Sequence, residues 1–242
     1  MRSLAASIAF LTRIPVSSSM AYGAGDVGKS ARWFPLVGML LGGVYAAMLQ
    51  LLSPRLPPSV LAVLILLAEV LLTGALHTDA LADTADGFGG GRSREDILRI
   101  MRDHAIGSYG ATALILLAAL KITAIAALAQ RPHAILYLVL APALGRWSIL
   151  PLSRFLPYAR ESAAVANHIG TVELVWGSIL AAGAAVLAGP WRGLACWVLV
   201  AVLTAWFGRF CFRRIGGVTG DTLGASVQIS ESVVLLAGLA LG

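Results

Sequence analysis

Residues 56–87 read LPPSVLAVLILLAEVLLTGALHTDALADTADG, an apolar run that gives way to regularly spaced acids. Its first part, residues 56–76, contains a single ionisable side chain, Glu69, and is long enough to cross the hydrocarbon core of a bilayer as a helix. Similar apolar stretches lie at residues 34–52, 110–130, 133–152, 172–190, 193–208 and 225–242. The pattern predicts an all-α fold, a polytopic integral membrane bundle of about seven transmembrane helices.

The composition of the whole chain agrees with a membrane location. Of 242 residues, 58% are apolar and 12% are charged, and the mean hydropathy is +0.84. A soluble domain carries roughly a quarter charged residues. The composition therefore excludes an ordinary soluble domain, a disordered chain and a nucleic-acid-binding protein, and it indicates the lipid bilayer as the surroundings. We expect one membrane-embedded domain over residues 1–242.

The basic residues, which give a net charge of +6, indicate the orientation. With the seven stretches threaded in order, one side of the membrane receives thirteen lysines and arginines, and the other receives only Arg55, Arg131 and Arg192. Positively charged loops stay in the cytoplasm. We therefore expect a cytoplasmic N-terminus and an active site at the cytoplasmic mouth of the bundle. The N-terminal run at residues 4–11 is too short to span and is expected to lie at the interface or to dock on the bundle.

The acids after residue 76 suggest chemistry. Asp79, Asp83 and Asp86 follow i, i+4, i+7 spacing and fall within about 60° of one another on a helix. If the same helix continues back to Glu69, all four carboxylates form one column from inside the membrane to its surface. Such like charges need a cation, arginines or a bound proton. Carboxylates beside a phosphate substrate are a usual Mg²⁺ environment. A solvated acidic face, bridged to the arginines at residues 92–102, is the structural alternative.

Other polar residues lie apart from this segment. Asp103 precedes the third stretch and is expected to add a metal ligand from a second helix. Asp221 is a single acid in a glycine-rich loop. It is expected to act either as a catalytic group or as a helix cap. Lys121 and Arg146 fall within spans and need anionic partners, so pairing of Glu69 with either is a structural alternative to catalysis. His77 either supports the site or simply ends a helix.

Several blocks, in this order and spacing, resemble the cobalamin synthase family (adenosylcobinamide-GDP ribazoletransferases). They are FLTRIPV at 10–16, FPLVG at 34–38, LTGALHTD at 72–79, DTADG at 83–87, RSRE at 92–95, IMRD at 100–103, YAR at 158–160 and GGVTGDTLGA at 216–225, followed by Glu231. The chain departs from the family pattern at three places: Ala80 replaces a usual glycine, residues 162–164 lack expected glycines, and Gln228 stands where an acid is common.

The resemblance implies an enzyme of late corrinoid assembly in the cytoplasmic membrane of a bacterium or archaeon. Such enzymes join adenosylcobinamide-GDP to α-ribazole or its 5′-phosphate and release GMP. We assign Mg²⁺ to Asp79, Asp83, Asp86 and Asp103, and catalysis to Asp221, as general base or further ligand, together with Asp86. Substrate contacts are assigned to Arg13, His77, Arg92, Arg102 and Arg160. A homo-oligomer, or association with other late corrinoid enzymes, is compatible with this reading.

Two other functions remain open at this stage. The sequence Asp83-Thr-Ala-Asp86-Gly87 resembles the start of the signature of CDP-alcohol phosphotransferases, which make phospholipids by the same type of displacement, but the rest of that signature is absent. A cation-coupled membrane transporter using Glu69, Lys121 and Arg146 is the other alternative. Against it, the sequence shows no inverted repeat or broken helix pair, and its acids crowd one end of the bundle.

Overall fold

A computed structural model describes residues 2–16, 22–160 and 165–241, so the departures at residues 162–164 lie outside the described residues. The described chain is helical and has no β-sheet; its only β contact is an isolated bridge between Tyr158 and Val218. The α-helices are α1 (Arg2–Leu11), α2 (Ala24–Ser30), α3 (Phe34–Leu52), α4 (Pro58–Thr73), α5 (Leu76–Gly90), α6 (Arg94–Ile100), α7 (Ser108–Leu128), α8 (Ala134–Phe155), α9 (Thr171–Leu187), α10 (Pro190–Ile215) and α11 (Gly220–Leu241). Short 3-10 turns lie at Ala31–Trp33 and Val165–His168.

Each of the seven apolar stretches is helical, but not all of them span on their own. Five helical stretches of the described chain are long and apolar enough to cross a membrane: Ala24–Leu52, α7, α8, α10 and α11. The bent pair of α4 and α5 makes a sixth if it is counted as one crossing. The expected number of seven is not confirmed, because α9 has only 17 residues and reaches about 26 Å, short of the roughly 30 Å hydrocarbon core.

The break between α4 and α5 is the main departure from expectation. Gly74 and Ala75 both adopt left-handed backbone angles, with φ of 63° and 61°, and the two helices meet at 91°. A Cβ on Gly74 would lie 2.2 Å from Nε of Arg13, so a side chain here would displace Arg13, and the left-handed φ also favours glycine. The single carboxylate column is therefore wrong: Glu69 and Asp79 belong to helices that run in different directions. The expectation of no broken helix pair is also wrong.

Close helix packing forms the core around α8. Nearly all of α8 is buried, from Ala134 to Ser153. Glycines let α3 approach it, since a Cβ on Gly38 would lie 2.2 Å from the carbonyl oxygen of Pro142. Small residues at such crossings allow the backbone contact that drives helix association in lipid. On its other side α8 packs against α11, which is buried over most of its length.

The N-terminal helix α1 docks on the bundle. The hydroxyl of Ser7 donates to the carbonyl oxygen of Ser30 at 2.8 Å, and the rings of Phe10 and Phe34 stack with centroids 5.8 Å apart. After α1, the backbone N–H of Arg13 donates to the carbonyl oxygen of Leu72 at 2.7 Å. Of the two expected placements of this segment, at the interface or docked on the bundle, the structure shows docking, which brings α1 beside the break between α4 and α5.

Candidate active site

A cavity of about 450 Å³ lies between α1, α3, α5, α8, α11 and the turn Val165–His168. Its walls are mostly apolar and include the stacked rings of Phe10 and Phe34. Three of the residues predicted for the site also line it: His77, Asp79 and Asp221. A pocket with apolar walls and a few convergent polar groups is the usual form of a small-molecule site.

Close packing between α5 and α11 brings the acids of the two helices together. A Cβ on Gly224 would lie 2.4 Å from Cβ of Ala80, so the glycine of α11 makes room for Ala80 on α5. Ala80 lies beside Asp79, and Gly224 lies one turn after Asp221. The sequence therefore accommodates its departure from the usual family glycine without separating the helices.

Asp79 and Asp83 are carboxylates without a protein partner. Neither side chain forms a hydrogen bond or ion pair with any residue that the structure describes. Asp83 lies outside the five spanning helices, and partial burial together with the charges of Asp79, Asp221 and Asp86 raises its pKa to about 6. A bound cation would relieve this repulsion, and carboxylates are ligands that Mg²⁺ accepts. As they stand, no three acid, histidine or cysteine side chains within the described ranges are grouped closely enough to hold a metal.

Asp221 faces Arg160 rather than capping its own helix. Nη2 of Arg160 donates to Oδ2 of Asp221 at 2.7 Å. The N-terminus of α11 is instead capped by Thr219, whose hydroxyl accepts from the N–H of Thr222, while the Thr222 hydroxyl accepts from the N–H of Thr219. The capping alternative for Asp221 is thus not what the structure shows. The Nε of Arg160 is buried and has no hydrogen-bond partner among the described residues, so it is a candidate contact for an anion.

The loops that carry this pair are fastened to each other. The N–H of Ala159 donates to the carbonyl oxygen of Val218 at 2.8 Å. In turn, the N–H of Val218 donates to the carbonyl oxygen of Pro157 at 2.9 Å. Gly217 sits so close that a Cβ would lie 2.1 Å from the Pro157 oxygen. This contact explains part of the glycine-rich loop at residues 216–225: it lets two loops pair and fixes Arg160 against Asp221.

Asp86 joins α5 to α7. Its Oδ2 accepts from the N–H of Gly107 at 2.7 Å and its Oδ1 from the N–H of Gly110 at 2.8 Å. These are unpaired donors at the start of a helix, where a carboxylate is favoured. Any side chain on either glycine would collide with this carboxylate. The structure thus gives Asp86 a capping role between helices, and its assignment to metal and catalysis stays a prediction.

Asp103, Arg92 and Arg102 lie at the surface, outside the cavity lining. Oδ1 of Asp103 accepts from the N–H of Ala105 in its own loop, at 3.1 Å. The side chains of Arg92 and Arg102 are exposed and make no hydrogen bond or ion pair within the described chain. Arg13 is likewise exposed, and it packs over Gly74 at the helix break. The structure does not bring these four residues into contact with Asp79 or Asp83.

Two arginines, Arg94 and Arg214, donate hydrogen bonds to backbone carbonyl oxygens. Nε of Arg94 donates to the Ile215 oxygen and Nη2 to the Ala159 oxygen, both at 2.9 Å. Nη2 of Arg214 donates to the carbonyl oxygens of Phe88 and Gly91. The oxygens of Ile215, Phe88 and Gly91 lie at the ends of α10 and α5, where carbonyls lack partners within the helix, and Ala159 lies in the loop after α8. Sequence alone gives no signal for such long-range pairing.

His77 is the buried polar residue of the cavity wall. Its side chain is 3% exposed, and its Nδ1 has no hydrogen-bond partner. A buried polar atom without a partner costs free energy comparable to a lost hydrogen bond. An unpartnered ring nitrogen beside a cavity is therefore a candidate contact for a bound molecule, which agrees with the assignment of His77 to substrate binding.

Below the cavity, four buried charges form a closed network. Nζ of Lys121 donates to Oε1 of Glu69 at 2.8 Å and to Oε2 of Glu231 at 2.5 Å, and Glu231 also pairs with Nη1 of Arg146. All four side chains are at most 5% exposed. The two positive and two negative charges cancel, which is how buried charges are tolerated in a membrane bundle.

Gln228 completes the charge network. Its Oε1 accepts from Lys121 at 2.7 Å, and its Nε2 donates to Glu69 at 2.9 Å. An acid at this position would add a negative charge to a balanced set, so the amide keeps the network neutral. The pairing of Glu69 with Lys121 is the structural alternative stated from the sequence. The sequence did not identify Glu231 and Gln228 as further partners of Lys121.

Comparisons with known proteins identify the family of the chain. The family model described as cobalamin-5-phosphate synthase (CobS) matches residues 3–239. A relative from Ralstonia nicotianae named adenosylcobinamide-GDP ribazoletransferase is 41% identical over 97% of this chain and 93% of its own length. A relative of the same name from Rhizobium etli is 41% identical over 96% of this chain and 94% of its own length. Another, from Desulfitobacterium hafniense, is 36% identical over 100% of this chain and 98% of its own length. No solved structure matches the chain. With nearly its whole length matched, the chain belongs to the CobS family of cobalamin-5-phosphate synthases.

Proposed function

We propose that this chain is an adenosylcobinamide-GDP ribazoletransferase. A hydroxyl oxygen of α-ribazole, or of its 5′-phosphate, attacks the cobinamide-linked phosphorus. The bond from that phosphorus to the bridging oxygen breaks, GMP leaves with that oxygen, and the hydroxyl proton passes to a carboxylate. The observation that carries the proposal is the unpartnered carboxylate of Asp79, which lies at one cavity with Asp221, the partner of Arg160. Asp83 is close enough for both carboxylates to raise its pKa. The names of the relatives support the choice of substrates.

The cavity suits the smaller substrate. A volume of about 450 Å³ encloses one drug-sized molecule, whereas a corrinoid carrying GDP is far larger and must lie mostly outside. The rings of Phe10 and Phe34 offer an apolar wall for an aromatic base, and Nδ1 of His77 offers a polar contact. We therefore assign the cavity to the ribazole base and its mouth to the diphosphate of the second substrate.

The polar groups at the mouth divide the remaining work. Asp79 and Asp83 would hold Mg²⁺, which supplies charge neutralisation of the diphosphate when bound. Arg160 keeps Asp221 in place through Nη2 and has Nε available for a phosphate oxygen. Asp221 lies against the cavity and accepts the hydroxyl proton as general base. Asp86 has a positioning role: it fixes the end of α5 to α7 and so helps to hold Asp79 and Asp83 in place.

The site is proposed to face the cytoplasm of a bacterial or archaeal cell, with the chain as a multi-pass protein of the cytoplasmic membrane. The support is the distribution of lysine and arginine between the two ends of the helices. The substrates of the proposed reaction are large and polar, so a site open to the cytoplasm is also the accessible arrangement.

The direct test is turnover by purified protein. Incubation with Mg²⁺, adenosylcobinamide-GDP and α-ribazole should release GMP and form adenosylcobalamin, with no turnover of a CDP-linked lipid. Asp83→Asn should lower the rate on the order of a hundredfold. Glu95→Gln, an exposed acid on α6, is the matched control and should leave the rate unchanged. Turnover of the CDP-linked lipid without GMP release would instead identify a phospholipid synthase.

The transporter alternative gains the broken pair of α4 and α5 but loses its main support in the structure. Its three residues, Glu69, Lys121 and Arg146, belong to a neutral network that is closed to solvent. Substrate uptake by proteoliposomes that is unaffected by Asp83→Asn would nevertheless favour it over the transferase.

A further inference from the structure

A second cavity lies away from the proposed active site, between α8, α9 and α10. It measures about 610 Å³, and its walls are almost entirely apolar, with Trp147, Leu152 and Phe212 among them. No acidic residue lines it. We call this cavity the α8–α10 groove. Because α8 and α10 are long and apolar enough to span a membrane, we expect the groove between them to face lipid.

Thr204 supplies an unpaired polar group in the wall of the groove. Its side chain is 3% exposed, and its Oγ1 makes no hydrogen bond, not even to a carbonyl of its own helix. Threonine in a helix normally satisfies its hydroxyl by bonding back to the preceding turn. In hydrocarbon an unpartnered hydroxyl is costly. Because Thr204 lines the groove, its unpartnered hydroxyl points to a ligand with a polar atom at this depth.

Arg209 supplies a free cation in the same groove. Its side chain is exposed and lines the groove, and it forms no ion pair or hydrogen bond with the part of the chain that the structure describes. It lies five residues after Thr204, about 7.5 Å further along α10 and about 140° around the helix. Both residues line the groove. Basic pockets between membrane helices bind anionic headgroups.

We propose that the α8–α10 groove binds an anionic phospholipid. Its phosphate lies against the guanidinium of Arg209, an ester oxygen accepts a hydrogen bond from Thr204, and an acyl chain fills the apolar space beside Trp147. The charge of Arg209 and the absence of an acid select an anionic headgroup over a zwitterionic one. The bound lipid lies at the end of α8 that leads, through Tyr158, to the loop holding Arg160, so it fixes the bundle beside the catalytic cavity.

Lipid retention, measured by native mass spectrometry of the full chain, tests the proposal. Protein released from micelles with equal amounts of phosphatidylglycerol and phosphatidylcholine should retain phosphatidylglycerol with at least a fivefold preference. Arg209→Gln should abolish the preference. Arg213→Gln is the matched control, because Arg213 is an exposed arginine of the same helix that does not line the groove, and it should keep the preference.

Thr204→Val separates a ligand contact from a buried defect. If the hydroxyl binds lipid, this variant retains several-fold less phosphatidylglycerol and unfolds at the wild-type temperature or above in lipid-free detergent. Equal retention of the two lipids by wild type, equal losses in Arg209→Gln and Arg213→Gln, or displacement of the lipid by α-ribazole would each overturn the proposal. Closure of the groove by a second copy of the chain would overturn the proposal too. It would show as lipid retention that decreases as the protein concentration increases.

Discussion

Replacement of Lys121 by methionine is expected to be strongly destabilising. Nζ of Lys121 lies 2.5–2.9 Å from oxygens of Glu69, Glu231 and Gln228, and its side chain is 1% exposed. Lys121→Met leaves two buried carboxylates against one arginine. Removing one partner of a buried pair costs about 3–5 kcal/mol. For a chain of this length, that lowers the unfolding temperature by about 6–20 °C.

A double-mutant cycle isolates the charge effect. Glu69→Gln alone leaves an excess positive charge, whereas Glu69→Gln combined with Lys121→Met restores neutrality through Glu231 and Arg146. The double variant should therefore be more stable than the sum of the single losses by about 2 kcal/mol or more. Thermal unfolding in detergent, followed by tryptophan fluorescence, measures each variant. Arg131→Met, an exposed cation just after the same helix, should change stability by no more than about 0.5 kcal/mol.

Additivity of the two single losses would refute the reasoning, because it would mean that the four charges are stabilised independently of one another. So would a Lys121→Met variant as stable as wild type. Either result would also remove the argument that Gln228 is present to keep the network neutral.

Three further predictions concern the site and the helix break. Asp86→Asn should lower the free energy of unfolding by about 1–2 kcal/mol, because it weakens the cap on α7, whereas Asp83→Asn should not; urea titration of the two variants compares them. Mg²⁺ at one hundred times its dissociation constant should stabilise wild type by about 2.7 kcal/mol and should have no effect on the Asp79→Asn, Asp83→Asn double variant, and an equal thermal shift in both would remove these acids from the metal site. Gly74→Ala should lower the unfolding temperature and Ala75→Gly should raise it by relieving about 1 kcal/mol of left-handed strain; a destabilised Ala75→Gly would contradict the strain argument.

The helices were predictable from the sequence because each apolar stretch carries its own signal. The docking of α1 and the need of Lys121 for an anionic partner followed from length and from the cost of a charge in lipid. The break at Gly74 was not predictable, because the apolar pattern runs through it and glycine is common in membrane helices. Its cause is tertiary: the side chain of Arg13 packs over Gly74, and Ala75 adopts an angle that sequence does not reveal.

The site residues divide in the same way. Asp79, Asp83 and Asp221 were identified by residue type and position, and the structure places Asp79 and Asp221 at one cavity, with Asp83 close enough for its pKa to be affected by both. Asp86 has the same spacing, yet its carboxylate caps a helix that begins 22 residues later. Helical spacing determines which residues share a face, but not which partner meets that face. The partner of Lys121 shows the same limit, since Glu231 lies 110 residues away.

The break between α4 and α5 separates structural acids from functional ones. On a straight helix, Glu69 would lie in line with Asp79 and Asp83, and a cation near one would attract them all. With a 91° turn at Gly74, Glu69 stays in the bundle and is neutralised by Lys121, while α5 packs along α11 and carries Asp79 to the cavity. Because the buried network ties α4, α7, α8 and α11 together beneath the cavity, it supplies the fixed base from which α5 presents unpaired carboxylates. A membrane bundle can in this way present unpaired carboxylates at one end while the charges buried beneath them neutralise one another.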